Sequence, residues 1–211
     1  MAVCVPVWML SSSARARAVA GAAAGGCSAA ALSHANQALK AAGARYLTEA
    51  QGAVMHVDLQ QVAHDRALLG ALGGGQAGAA LAAANRQLVR HVVRIRVLQG
   101  SQVLVDANPT SFDVAGSSTE LRAANGRKLG RLQVTIQDVI GFIKLVHKLN
   151  GVDVVVRSGG GQMRTSLPAA ATASLPSSGC TQLGSHRYVV RSFGETSFTG
   201  EPLTVWLLSA A

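Results

Sequence analysis

The chain has 211 residues, of which 49% are apolar, 4% aromatic and 14% charged, and its formal net charge is +9. The length allows one sizeable core without requiring two domains, and a charged fraction well below the usual quarter excludes a disordered polyelectrolyte. The positive residues fall singly or in pairs, such as Arg15/Arg17, Arg94/Arg96 and Arg127/Lys128, with no zinc-finger spacing, RRM signature or interleaved aromatics, so nucleic acid is not an expected partner.

Residues 2–10 (AVCVPVWML) form a short apolar run, followed by Arg15, Arg17 and AVAGAAAGGC, which ends at Cys27. No run reaches the roughly 18 residues that a membrane helix needs. A basic stretch, a short Ala/Gly core and the small residues Ala24-Gly25-Gly26 before Cys27 follow the order of a bacterial export signal. The last of these has the form of a lipoprotein cleavage box with Ala24 at its usual Leu position, which makes Cys27 the candidate lipid carrier. Residues 1–32 are read as a leader or an Ala-rich tail, and residues 33–211 as a single domain. With Cys4 and Cys27 in the first segment, Cys180 stands as a single thiol, and no disulfide framework or cysteine metal site is expected.

From Ser33 the apolar residues recur at three- and four-residue steps: Leu39, Ala42, Tyr46, Leu47, Ala50, Val54, Val57, Leu59, Val62, Leu68, Leu69 and Leu72. This predicts one helix of roughly 35 residues, capped by Ser33 or Asn36 and ended by Gly73-Gly74-Gly75. A shorter helix is expected over 76–90.

The period then changes. HVVRIRVLQ (91–99), Gly100-Ser101 and QVLVDA (102–107) predict a β-hairpin. The stretch from Asn108-Pro109 to Asn125-Gly126 is loop-like, with room for one short strand or helical turn. LGRLQVTIQ (129–137) alternates as a strand, and Asp138 caps a helix over 139–149 that Asn150-Gly151 stops. VDVVVR (152–157) and QMRTSL (162–167) form a second hairpin, 168–179 reads as a loop with a helical turn, and SHRYVVRSF (185–193) and PLTVWLLS (202–209) close the chain as strands. One antiparallel sheet of about five or six strands, with helices over one face, accommodates this order, which makes the fold class α+β.

The element order resembles the Cache branch of PAS-like sensory domains. The residues that carry the likeness are HDRALLGAL (64–72), HVVRIRVLQGSQVLVD (91–106) and GRKLGRLQVTIQDVIGFIKLVHKLNGVDVVVR (126–157), within a span of about 36–209. The resemblance implies an extracytoplasmic sensor of small molecules in signal transduction, non-catalytic, with ligand held over the sheet and a separate output protein. Secretion or a lipid tether at Cys27 gives the location, and the long helix gives a possible homodimer seam. The other reading, from a different class, is an interaction module that binds a partner protein or an anionic envelope polymer through the long helix and basic surface.

Several patterns bear on chemistry. Gly73, Gly75 and Gly78 match G-x-G-x-x-G, but a helix precedes them and Arg94 and Arg96 stand where an acid belongs, so no dinucleotide cofactor is expected. His56 and His64 stand eight residues apart, about 12 Å along a helix, with Gln60 between them, so no metal site is expected. No nucleophile elbow or local Ser/His/Asp arrangement is present. For a ligand, a half-buried strand guanidinium clamps a carboxylate with two parallel bonds, which singles out Arg94, Arg96 and Arg191. Asp106, Gln133 and Tyr188 complete the candidate ligand set, and a carboxylate-bearing small molecule is the expected ligand. The bland reading of the same arginines is a solvated sheet face, or pairing with Asp106 and Asp153.

Overall fold

The computed structural model describes residues 26–89, 91–109 and 112–211. The apolar run 2–10, Cys4, the Arg15/Arg17 pair and the Ala24-Gly25 part of the cleavage box lie outside the described residues.

Four helices come first: α1 (Ala29–Gln51), α2 (Ala53–Ala63), α3 (Arg66–Gly73) and α4 (Ala77–Arg86). The Ser28 side chain caps α1 by accepting from the Ala31 N–H, so the helix begins inside the segment read as a leader. The single long helix predicted to reach Leu72 is broken twice. At Gly52 the backbone is extended (ψ 170°), while its N–H still returns to the Thr48 carbonyl at 2.8 Å, so one residue ends α1 and begins α2. At Asp65 the carboxylate accepts from the Leu68 N–H at 2.7 Å and starts α3 as an N-cap. The apolar periodicity runs through both breaks because every segment buries one stripe. The stripes serve different cores: α1 buries Ala38, Ala42 and Tyr46 against one sheet, and α2 buries Met55, Leu59 and Val62 against the other.

The first sheet holds β1 (Arg94–Gln99), β2 (Gln102–Ala107), β3 (Gly116–Arg122) and β4 (Lys128–Thr135) in the order β2-β1-β4-β3. After α5 (Val139–Asn150) come β5 (Asp153–Ser158), β6 (Met163–Thr165), β7 (Ser178–Leu183), β8 (His186–Thr196) and β9 (Pro202–Ala210), in the order β6-β5-β9-β8-β7. Each pairing is antiparallel. The α+β class, the long N-terminal helix and the hairpins are as predicted, but the strands divide into sheets of four and five where one sheet of five or six was expected. The reason is local: β4 has β1 on one side and β3 on the other, so no edge remains beside it for β5. α5 makes the connection, with the Asp138 carboxylate accepting from the Gly141 N–H at its start and Gly151 in the left-handed conformation (φ 62°) at its end.

Helices α2 to α4 cover one face of the four-stranded sheet, packing Met55, Val62 and Leu68 on Ile95, Val97, Leu132 and Val134. Helices α1 and α5 cover one face of the five-stranded sheet, with Tyr46 and Phe142 meeting edge to face at 5.7 Å. Segment 163–175 covers the opposite face, where Val155, Tyr188, Val190, Trp206 and Leu208 lie. The His34 ring ties α1 to Ser209 at 2.9 Å and to the Asn150 carbonyl at 2.9 Å.

Two cysteine expectations are corrected. Cys27 and Cys180 are joined in a disulfide with Cα atoms 6.2 Å apart, within the span such bonds bridge. Cys180 is therefore not a lone thiol, and the Cys27 sulfur that a lipid would take is already bonded.

Candidate functional site

Alternation along β1 sends Ile95 and Val97 toward the helices and Arg94 and Arg96 to the other face of the four-stranded sheet. Cross-strand register then dictates their company. Arg96 stands opposite Asp106 on β2 and Gln133 on β4, and Gln133 stands opposite Ser118 on β3. The row Asp106–Arg96–Gln133–Ser118 thus crosses all four strands on the side that no helix covers.

Arg94 is the best-satisfied group there. Its Nε and Nη2 donate to the two oxygens of Asp106 at 2.8 Å each, and its Nη1 donates to Asp113 at 3.0 Å. The Phe198 ring lies 5.2 Å from the guanidinium carbon, closing the last side. The Asp106 bonds hold the guanidinium pKa above its ordinary value against the opposing effect of burial. Arg94 and Asp106, two of the predicted ligand residues, therefore hold each other.

Arg96 is in the opposite condition. Its side chain is only 21% exposed, its Nε is buried with no hydrogen-bond partner, and the nearest carboxylate oxygen, Asp106 Oδ2, is 3.9 Å away. No hydrogen bond from Arg96 is found among the described residues. Beside it the Gln133 amide is oriented by its neighbour: Nε2 donates to the Phe198 carbonyl at 3.4 Å, which leaves Oε1 as a buried acceptor without a partner. Arg131, two residues along β4 on the same face, is exposed and donates through Nε and Nη2 to the Ser118 hydroxyl at 3.1 and 2.7 Å.

A cavity of about 190 Å³ opens over this region, lined by Gly116, Ser118, Arg131, Gln133, Ser197 and Phe198 among others. Its wall is the turn between β8 and β9, held to the Asp113 carbonyl by the Phe198 N–H at 3.2 Å. Sequence reasoning missed this wall, and Ser118 with it, because the turn belongs to the other sheet and β3 falls in a stretch that reads as loop-like with room for one short strand or helical turn. Arg131 and Gln133 are legible on the polar side of an alternating strand, although only Gln133 is in the predicted ligand set.

The remaining predicted residues lie elsewhere. Tyr188 is buried in the cluster under segment 163–175. Arg191 points to the opposite side of β8, where its Nε donates to Asn36 of α1 at 2.7 Å. The structure thus brings Arg94, Arg96, Asp106 and Gln133 together and separates Tyr188 and Arg191 from them and from each other. A second hollow, about 490 Å³, sits at the break between α1 and α2, lined by Arg45, Glu49, Gly52, His91 and Gln137 among others.

No family model matches the sequence, and no curated protein does. Among solved structures the fold is similar to the periplasmic domain of Vibrio cholerae LuxQ. One crystal structure of that domain is 12% identical over 86% of this chain and 100% of that one, with a TM-score of 0.53. A second, on the selenomethionine protein, is 11% identical over 86% of this chain and 98% of that one, with a TM-score of 0.54. At this identity the likeness is one of fold alone: the chain shares the α+β architecture of that periplasmic domain. No helix among the described residues is long and apolar enough to cross a membrane.

Proposed function

We propose that this chain is an extracytoplasmic sensory module in which residues 33–211 act as one unit. It binds a small carboxylate-bearing molecule on the open face of the four-stranded sheet, performs no chemistry on it, and passes the resulting change of shape to a separate output protein. One observation carries the reading: Arg96, 21% exposed, makes no hydrogen bond among the described residues, and its buried Nε lies 3.9 Å from an Asp106 carboxylate that Arg94 already holds through two parallel bonds. A buried donor without a hydrogen bond costs stability, and an acceptor on a bound ligand would satisfy it. A carboxylate fits the two parallel donors of a guanidinium. The Cys27–Cys180 disulfide and the likeness to a periplasmic domain support an oxidising compartment.

The experiment is a thermal-shift screen of the whole chain against small carboxylates. A carboxylate is expected to raise Tm in the native protein and to leave a folded Arg96→Met variant unmoved. A panel with no effect on the native protein, or an equal shift in the variant, would overturn the proposal.

A second reading rests on the outer side of α1 and α2, where Leu47, Val54 and Val57 are 48%, 49% and 61% exposed. They favour an interaction module that docks a partner protein or a second copy, with the basic surface drawing an anionic polymer. Sedimentation of the native chain and a Val57→Asp variant tests it. A mass that rises with concentration only in the native chain selects self-association.

A further inference from the structure

We infer that the end of the four-stranded sheet at the β3–β4 turn is a docking groove for a segment of a partner protein rich in acidic and aliphatic side chains. Two hollows adjoin there. One, of about 280 Å³, lies beside the turn between α3 and α4 and is lined by Leu72, Gly75, Gln76, Leu104 and Arg127 among others. The other, of about 380 Å³, is lined by Leu98, Gly100, Lys128, Gly130 and Arg131 among others. Gln99 and Leu129 line both, so the two hollows form one groove past the β1–β2 turn.

Among the described residues, every charged side chain that lines the groove is a cation: Arg127, Lys128 and Arg131. The surrounding fold does not neutralise them. Arg127 donates to a backbone carbonyl, that of Gly73, at 3.2 Å, and Arg131 donates to the Ser118 hydroxyl. Lys128 shares the single Glu120 carboxylate with Arg122. From Glu120 to Arg131 the chain thus sets Arg122, Arg127, Lys128 and Arg131 against one acid. Neutral oxygens orient two of the guanidinium groups and leave their charge uncompensated, so the complement is an acidic partner.

Between the cations the groove is aliphatic. Leu72, Leu98 and Leu104 are half-buried, and Val103, opposite Leu98 on the edge strand β2, is 39% exposed. Basic heads beside partly open leucines suit a peptide that brings both carboxylates and aliphatic side chains. Single-stranded nucleic acid is held by aromatic stacking as well as charge, and no aromatic side chain among the described residues lines the groove. A bilayer surface takes up protruding apolar side chains, whereas here the leucines line hollows.

Fluorescence anisotropy of the full chain with a labelled peptide of alternating Glu and Leu tests the inference. Unlabelled competitors are the same peptide, a Glu/Ser peptide of equal length, inorganic polyphosphate, and vesicles of equal parts phosphatidylcholine and phosphatidylglycerol. The Glu/Leu peptide is expected to bind at least about fivefold tighter than the Glu/Ser one, less than full burial of one leucine supplies. Arg127→Glu with Lys128→Glu changes two exposed residues and leaves Arg131 and the ligand cavity in place. It is expected to weaken Glu/Leu binding at least about tenfold. Lys144→Glu with Lys148→Glu makes the same charge change on exposed positions of α5, over the other sheet, and is expected to weaken it less than about twofold. Equal losses from the two reversals, equal affinities of the two peptides, or tighter binding of polyphosphate or vesicles would overturn the inference, as would no binding of the peptide. None of these outcomes bears on the carboxylate reading, because no carboxylate ligand is added and Arg96 is unchanged.

Discussion

The Arg94 guanidinium and the Asp106 carboxylate meet in parallel, Nε to Oδ1 and Nη2 to Oδ2, at 2.8 Å each. Asp113 takes the third bond from a fully buried position, and Phe198 covers the remaining face. Removing the cation takes two parallel donors from Asp106 and one from the fully buried Asp113. Arg94→Met is expected to lower stability by about 3–5 kcal/mol, the usual cost of breaking a buried pair from one side. Urea unfolding followed by circular dichroism measures it, and a loss below about 1 kcal/mol would mean that the network is solvated.

Tyr46 joins three parts of the molecule through one hydroxyl. It donates to the Thr196 carbonyl at 2.5 Å and accepts from the Ala115 N–H at 2.9 Å, so α1 is pinned to both segments that flank the site. Burial pushes its pKa up to about 12, against the lowering effect of the Ala115 bond. The unfolded chain ionises near 10 and the folded one near 12, so this contribution is complete below pH 10 and is lost as pH rises toward 12. The loss is on the order of 2–3 kcal/mol. Tyr46→Phe keeps the edge contact with Phe142, removes two hydrogen bonds, and is expected to flatten stability over that alkaline window. An unchanged pH profile in the variant would assign the effect to another group.

The strongly patterned elements could be read from the chain, and the weakly patterned ones could not. Asp138, the apolar face from Val139 to Val146, and Gly151 locate α5 because cap, stripe and stop agree. The β1–β2 hairpin and β4 follow from alternation. β7 was missed, and β3 was read only as room for one short strand or helical turn, because GSSTELR and SGCTQL are polar edge strands held mainly by backbone pairing. The helix breaks at Gly52 and Asp65 were hidden because periodicity reports burial, and burial continued on both sides while the core changed. Half of the candidate site was legible as the side of β1 and β4 that carries Arg96, Gln133 and Arg131. Its wall at Ser197 and Phe198 was not, since no local pattern says which sheet a turn will lean on.

The disulfide joins residues 153 apart in sequence, from the residue before the α1 cap to the edge strand β7. A closed loop of that length restricts the unfolded chain strongly. Reduction, or Cys180→Ser, is expected to lower stability by about 3–5 kcal/mol. Guanidinium unfolding with and without reductant gives the difference. Mass spectrometry of a non-reduced digest should show the Cys27 and Cys180 peptides as one species, and a diacylated Cys27 peptide would contradict the bond.

Gly116 is small because of what lies above it, at the point where the two sheets meet over the site. A Cβ there would stand 2.7 Å from Phe198 Cδ2 and 3.1 Å from its Cα, so turning the ring alone would not make room and the turn itself must move. That turn carries the ring over Arg94 and the carbonyl that orients Gln133. Gly116→Ala is therefore expected to cost about 1–3 kcal/mol through overpacking and to weaken ligand binding with it. A double-mutant cycle separates this from an unrelated strand effect: in a Phe198→Ala background the Cδ2 contact is gone, and the same substitution should cost measurably less. If Gly116→Ala costs the same in both backgrounds, the ring does not constrain this strand, and Phe198 loses its place as the part that holds the wall against the floor.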